Sequence, residues 1–310
     1  MTDSLKSLES WINEWNRTAA PDDQIETEIN SPMSRHTTFR IGGPAALYLT
    51  PNSVDALLAL IRQIRMTGVK FFLLGNGSNV LFPDEGYDGA VVSLGALRKI
   101  SVNGREITAE AGALLIHVCR QASDAGLSGL EFAYGIPGSV GGAVFMNAGA
   151  YDGEISFVLR ESTYLDLDTL TVHTITQPEH AYGYRDSVYR HTNRLILSAT
   201  FSLADGDREA ITAKMNDFMS RRVAKQPLEY PSAGSVFKRC AGHYTGQMIE
   251  EAGLKGYTIG GAQVSEKHAG FIINVGGATA EDVTALIEHI RRVILEKFGC
   301  ELECEVIRIS

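Results

Sequence analysis

The sequence predicts a protein of mixed α+β / α/β class with two domains, the second the smaller. Three observations carry this. At 310 residues the chain is too long for one ordinary core, since a domain takes about 150 residues. Short apolar runs alternate with stretches of helical periodicity between residues 46 and 223, the pattern of strand–helix units. A polar, proline-bearing segment, Lys225-Gln226-Pro227, then interrupts the chain, and the residue before a proline resists helix. The predicted domains are therefore 1–224 and 225–310.

The elements follow in order. Leu5 to Trp15 reads as a short amphipathic helix. Ala46–Leu49 is a strand, and Val54, Leu57, Leu58, Ile61 and Ile64 recur at helical spacing after it. Lys70–Leu74 is a buried strand that runs into Gly75-Asn76-Gly77-Ser78-Asn79. Strands at Ala90–Val92, Ile107–Glu110 and Arg160–Leu165 resemble it, with helices at Leu114–Ala125 and Arg208–Val223. In the second domain a helix over Tyr244–Ala252 stops at Gly253. Thr279-x-x-Asp282 has the spacing of a capping box and opens a helix ending at Gly299. Glu301 to Ile309 alternates as a strand, with Glu305 on the face of Ile307 and Ile309. A carboxylate there is either functional, since burial of an unpaired charge is costly, or lies on the wet face of an edge strand.

Tyr134 to Glu154 concentrates Gly135, Gly138, Gly141, Gly142, Gly149 and Gly153, yet Ile136, Val140, Val144, Phe145 and Met146 run through it. That apolar content excludes a flexible linker. It leaves a buried loop whose N–H groups line a large ligand, or a tightly turned β-solenoid corner.

Hydrophobic residues make up 44% and charged residues 21% of the chain, as in soluble globular proteins. A net charge of −9 argues against nucleic acid or an anionic membrane as partner. No run approaches the length of a membrane span, and MTDSLKSLESW lacks the layout of a signal peptide. Cys119, Cys240, Cys300 and Cys304 form no CxxC pair. Reduced thiols in a cytoplasmic protein, with no metal, are the expectation.

GNGSN, Gly75–Asn79, follows a strand as a phosphate-facing turn does. Val80 stands where GxGxxG needs its third glycine, so the motif is weak alone. Together with the loop at Gly135–Gly149 it suits a dinucleotide with a central pyrophosphate. Arg35 to Pro44 contributes the hydroxyls of Thr37 and Thr38, and His36 is either a flavin attachment point or a hydrogen-bonded structural histidine. Arg185, in the Tyr184–Arg190 run of alternating charge and aromatic residues, can fork onto a carboxylate, although taken alone the run reads as a solvated strand face. Ser235 lacks the GxSxG context of a hydrolase nucleophile. Lys255, Lys267 and His268 lie among glycines, as a diphosphate site requires.

HTTFRIGGPA, LGNGSNVL, GLEFAYGIPGSVGGAVFMNAGAYDGEI, YRDSVY, AGSVFK, IEEAGLKGYTIGGAQVSEKHAGFIIN and LECEV stand in one order along the chain. In this they resemble the UDP-N-acetylenolpyruvoylglucosamine reductases of peptidoglycan synthesis. The resemblance implies an FAD-binding region of the vanillyl-alcohol-oxidase (PCMH) type, then a smaller α/β substrate-binding domain. It also implies non-covalent FAD, NADPH as hydride donor and UDP-N-acetylglucosamine enolpyruvate as acceptor; a monomer is the expected state. The short segment between YRDSVY and AGSVFK is similar to that of the type II group, which lacks a tyrosine-bearing loop.

Residue by residue, the resemblance makes Ser235 the proton donor, Arg185 the holder of the enolpyruvyl carboxylate and Glu305 the acid that works with it. FAD contacts fall to Thr38, Arg40, Gly75, Asn76, Gly77, Ser78, Asn79, Gly135, Gly138, Ser139, Gly141, Gly142, Asn147 and Ala148. Tyr184, Lys238, Lys267 and His268 become substrate contacts. Two departures stand out: FKRC, where the family has FKNP, and LECEV for LEPEV. The nearest rival readings are an alcohol-oxidising flavoenzyme, which would lack the Ser235/Glu305 pair, and a sugar-nucleotide-binding protein without flavin.

Overall fold

The computed structural model describes residues 2–240 and 243–310. Two compact units emerge, and the chain interleaves them. The first comprises Met1–Ile29, Leu47–Asn76 and Asp88–Arg221; the second comprises Asn30–Ala46, Gly77–Tyr87 and Arg222–Ser310. The second unit thus adds two earlier segments to the C-terminal stretch that composition sets apart at Pro227.

The first unit opens with a helix over Asp3–Thr18, one turn longer than its apolar stripe, because Thr2 accepts from Leu5 N–H as N-cap. The Val54–Thr67 helix buries Leu57, Leu60, Ile61 and Ile64, ends at Gly68 in the left-handed region, and is followed by the Phe71–Leu74 strand. That strand pairs in parallel with Tyr87–Ser93, whose Ala90, Val91 and Val92 are fully buried, as a strand covered on both faces requires. A five-stranded antiparallel sheet in the order 171–176, 159–166, 194–202, 106–110, 100–103 forms the other layer. The helix over Leu115–Asp124 buries Leu115, Val118, Cys119 and Ala122 and leaves His117 and Arg120 exposed. The glycine-rich stretch is not a solenoid corner. It carries a single-turn helix, Val140–Phe145, capped by Ser139, and a two-residue hairpin between Gly149–Ala150 and Gly153–Glu154.

The second unit is built around a four-stranded antiparallel sheet in the order 232–235, 271–274, 262–264, 258–259. The long helix Ala280–Phe298 covers it with Val283, Leu286, Ile287, Ile290 and Ile294, each at most 1% exposed. Each such side chain contributes about 1.5–3 kcal/mol. The capping box is formed in full: Asp282 N–H donates to Thr279 Oγ1 and Thr279 N–H to the Asp282 carboxylate. Asp84 adds a second cap from another segment, accepting from Ala280 and Glu281 N–H at 2.8 and 3.0 Å.

Two expectations are corrected. The tail is not one strand from Glu301 to Ile309: only Ile307–Arg308 pairs, in parallel, with Val80–Leu81, and Cys304 bridges Phe237. The buried positions are Leu302 and Val306, four apart, because the tail turns between two partners instead of running along one. Nor are all thiols reduced: Cys240 and Cys300, 60 residues apart, are joined by a disulfide, while Cys119 and Cys304 are free. No spacing motif announces this pair, because the return of the long helix brings the two together. Among the described residues no helix is long and apolar enough to cross a membrane.

The N–H groups of Gly261 and Thr279 hold the Asp282 carboxyl below the usual carboxylate range. A depressed native pKa stabilises the fold above the unfolded-state value, and the gain disappears as pH falls through the native one. Asp282→Ala is expected to lower stability by about 1 kcal/mol at neutral pH. In urea titrations the gap between variant and parent should close below the ordinary carboxylate pKa; a gap independent of pH would contradict the cap.

Candidate active site

In the first unit the structure brings the two glycine-rich loops against each other. Asn76 Nδ2 donates to Pro137 O at 2.8 Å, and a Cβ placed on Gly75 would lie 2.5 Å from Ser139 Oγ. A glycine at 75 is therefore demanded by close approach. Beside this contact lies a cavity of about 500 Å³ lined by Gly75, Asn76, Gly112, Ala113, Arg98, His117 and Arg120. Its arginine side chains and its small residues fit an anionic nucleotide. Arg98, His117 and Arg120 are absent from the sequence-derived set. His117 and Arg120 had a readable signal, an i, i+3 pair opposite the helix's apolar stripe; Arg98 had none.

The remaining loop residues divide between lining and holding. Gly141 N–H donates to Ala111 O at 2.8 Å, and a Cβ there would meet Ala111 Cβ at 2.9 Å, so this glycine serves helix packing. Gly138 O accepts from Leu115 N–H, Gly142 N–H donates to Ser139 Oγ at 3.4 Å, and Ala148 N–H donates to Ala143 O. Gly135 is half-buried. Asn147, 1% exposed and at φ 44°, has its whole side chain engaged: it donates to Gly183 O at 3.0 Å and Glu154 Oε1 at 3.1 Å, and accepts from Ser156 N–H at 3.0 Å.

That bond to Gly183 leads to Arg185. Gly183 and Asp186 exchange backbone hydrogen bonds across a tight turn with Tyr184 and Arg185 at its tip. Arg185 takes φ 55°, costly for a residue with a long side chain and sustained where surroundings dictate it. Its guanidinium donates to Gly149 O at 3.1 Å and sits 5.1 Å from the Tyr184 ring centre. Asp186 accepts from His191, which holds its carboxyl below the usual range. Behind the turn, His180 stacks on Tyr182 at 5.2 Å, and its Nε2 shares a hydrogen bond with Ser162 Oγ, as Tyr189 OH does.

In the second unit Ser235 ends the strand Ser232–Ser235. The pairing with 271–274 slips there by one residue, since Ser232 faces Ile273 and Ser235 faces Phe271. Gly234 occupies the bulge at φ 79°. The extra residue breaks the two-residue alternation: Ala233 and Val236 are both buried, and Ser235 turns out to solvent. Glu305 is tied beside it, its N–H donating to Val236 O at 2.7 Å and its O accepting from Asn79 Nδ2 at 3.1 Å. Lys238 N–H donates to Glu303 O at 2.9 Å, and Lys238 pairs with the Glu303 carboxylate.

Other members of the predicted set sit in the same unit. Thr38 Oγ1 donates to Ser232 O at 2.7 Å, and Thr38 N–H donates to Gly77 O. Arg40 is exposed at φ 54°, and Ser78 is half-buried next to buried Gly77. Lys267 pairs with Glu229 at 3.3 Å. His268 Nδ1 accepts from Gly270 N–H, and burial lowers its pKa. His36 shares a hydrogen bond with Ser31 Oγ at 2.8 Å, the structural alternative of its two readings.

Paired glycine loops beside an arginine-lined cavity, in a mixed α/β frame, fit a protein that binds a nucleotide cofactor. Comparison with known proteins agrees: an FAD binding domain family matches residues 45–174, and the UDP-N-acetylenolpyruvoylglucosamine reductase C-terminal domain matches 226–309. The reductase of that name from Clostridium beijerinckii is 48% identical over 284 residues, 92% of this chain and 93% of its own. That from Caldanaerobacter subterraneus is 49% identical over 278 residues, 90% and 92% of the two chains. The crystal structure of the Thermus caldophilus reductase superimposes with a TM-score of 0.78 at 33% identity, covering 93% of this chain and 99% of that one. The chain belongs to the UDP-N-acetylenolpyruvoylglucosamine reductase family.

Asn147→Leu would strip the Gly183 carbonyl and the Ser156 N–H of their buried partner. It is expected to cost about 1–3 kcal/mol in denaturant titrations. An unchanged midpoint would mean that the Arg185 turn is held by other contacts.

Proposed function

We propose that this chain reduces UDP-N-acetylglucosamine enolpyruvate to UDP-N-acetylmuramate with NADPH as hydride source, in peptidoglycan synthesis, as a cytoplasmic monomer. The observation that carries the reading is the bulge at Gly234, which turns Ser235 out of a buried strand while Val236, the next residue, holds the backbone of Glu305. An outward hydroxyl at the end of this strand, beside a residue whose backbone is held in place, supports a proton-delivering role.

The Gly75–Asn76 turn, Ser139 and the cavity rim of Arg98, His117 and Arg120 fit the diphosphate and nucleoside parts of FAD. Bound FAD would supply the hydride chemistry of the reaction, with NADPH as the source and the β-carbon of the enol ether as the acceptor. Negative charge then develops at the α-carbon and spreads into the adjoining carboxylate. Arg185 neutralises that charge; its φ of 55° and its bond to Gly149 O hold it ready, so little reorganisation is needed. Ser235 gives its proton to the α-carbon as general acid. Glu305 works on the same carboxylate and proton, with its backbone fixed from both sides. Tyr184, 47% exposed beside Arg185, offers a face to the substrate.

The test is anaerobic flavin absorbance: one equivalent of NADPH bleaches the oxidised band, and UDP-N-acetylglucosamine enolpyruvate restores it. Bleaching without recovery would keep the flavin site and reject the acceptor. Ser235→Ala is expected to leave bleaching unchanged and slow recovery about 10²–10⁴-fold; equal loss in both phases would remove its role. Arg185→Ala should slow recovery and raise the acceptor concentration needed while the purified protein stays yellow. A colourless variant would make Arg185 structural.

A further inference from the structure

We infer that the Cys240–Cys300 disulfide is a reversible clip that positions Ser235 and Glu305 for proton delivery, so that thiol-reducing conditions slow that step alone. The inference rests on the roles given above to those two residues.

The clip closes a short antiparallel ribbon. Residues 236–238 run beside 303–305, joined by Glu305 N–H on Val236 O at 2.7 Å and Lys238 N–H on Glu303 O at 2.9 Å, with Phe237 opposite Cys304. Ser235 precedes one edge of this ribbon, and Glu305 lies on the other. Cys240 and Cys300 lie beyond its far end, one on each strand, and the S–S bond ties them. Two-stranded pairing of this length is marginal on its own. The Lys238–Glu303 ion pair adds little, because Glu303 is 67% exposed. Leu302 and Val306 anchor the tail in the core on either side, so the span between them is the part whose register the crosslink decides.

The other two cysteines take no part. Cys119 is buried, and burial raises its thiol pKa. Burial also raises that of Cys304, whose thiol donates to Val306 O at 3.4 Å. Reductive chemistry therefore falls on the disulfide, most readily at Cys240, which is half-buried, whereas Cys300 is buried. A dithiol attacks one sulfur, the Cys240–Cys300 bond breaks and a mixed disulfide forms. The second thiol of the reductant then closes on its own first sulfur. Two protein thiols and one cyclic disulfide result, and a low-molecular-weight disulfide reverses the exchange. Disulfides that form in reducing compartments are characteristically of this switching kind.

The experiment uses the full-length, flavin-loaded protein before and after treatment with a water-soluble phosphine, which consumes one water and becomes its oxide as two thiols appear. Thiol titration should show two new groups. Amide exchange should quicken at Lys238 and Glu305. Bleaching by NADPH should keep its rate, and recovery with UDP-N-acetylglucosamine enolpyruvate should slow by about tenfold, the scale on which misplaced groups act. Cys240→Ser with Cys300→Ser should match the reduced protein and ignore the phosphine, and oxidised glutathione should restore the parent. The clip is overturned if no new thiols appear, if exchange at Lys238 and Glu305 is unchanged after they do, or if both flavin phases slow together. If the band returns in neither redox state, the assigned acceptor fails, and the exchange measurement still decides the clip.

Discussion

The need to satisfy every buried backbone N–H and C=O shapes this molecule more than any other constraint. Its functional segments are loops, turns and a bulge, which have no ladder to satisfy them. Side chains supply what secondary structure does not. Asn147 bonds the Gly183 carbonyl and the Ser156 N–H, Asn79 bonds the Glu305 carbonyl, Thr38 bonds the Ser232 carbonyl, and Asp84 takes two N–H groups at the start of the long helix. Most of these join segments remote in sequence, 226 residues apart for Asn79 and Glu305. Polar residues that look like ligand contacts in the sequence therefore also act as brackets.

Much of the frame was legible. Apolar periodicity gave the helices at 54–67 and 115–124 within a few residues, and the capping box with Gly299 bounded that at 280–298, because amphipathic burial and caps are local. The pairing of the two glycine loops was legible as chemistry, since two such stretches imply one extended anionic ligand. What escaped was non-local. Alternation in 301–309 promised a strand, but the tail divides its hydrogen bonds between Val236 and Lys238 on one side and Asn79 and Leu81 on the other. The Cys240–Cys300 bond has no spacing signature. The added segments 30–46 and 77–87 of the second unit carry no compositional mark.

The site residues show the same division. That Ser235 differs from its strand neighbours needed the bulge, and Gly234 beside a serine does not announce one. That Arg185 sits in a strained turn needed Gly183 and Asp186 to pair, at a site where Asn147, distant in sequence, bonds the Gly183 carbonyl. The cavity's Arg98 comes from a loop without a motif, whereas His117 and Arg120 could be read from their helix.

The interleaving of the two units bears on how the chain acquires its structure. The second unit needs 30–46, 77–87 and 222–310 together, and its edge at Val80–Leu81 finds its partner in Ile307–Arg308. During synthesis, at about 5–20 residues per second, the strand at 80–81 is made well before that partner exists. The polypeptide must hold those early segments soluble meanwhile, with Leu81 and Phe39 deprived of the core they later enter. High sequence separation of this kind slows folding and lengthens exposure to aggregation. The topology that holds Glu305 to Asn79 thus makes closure of the second unit's core wait for its last segment.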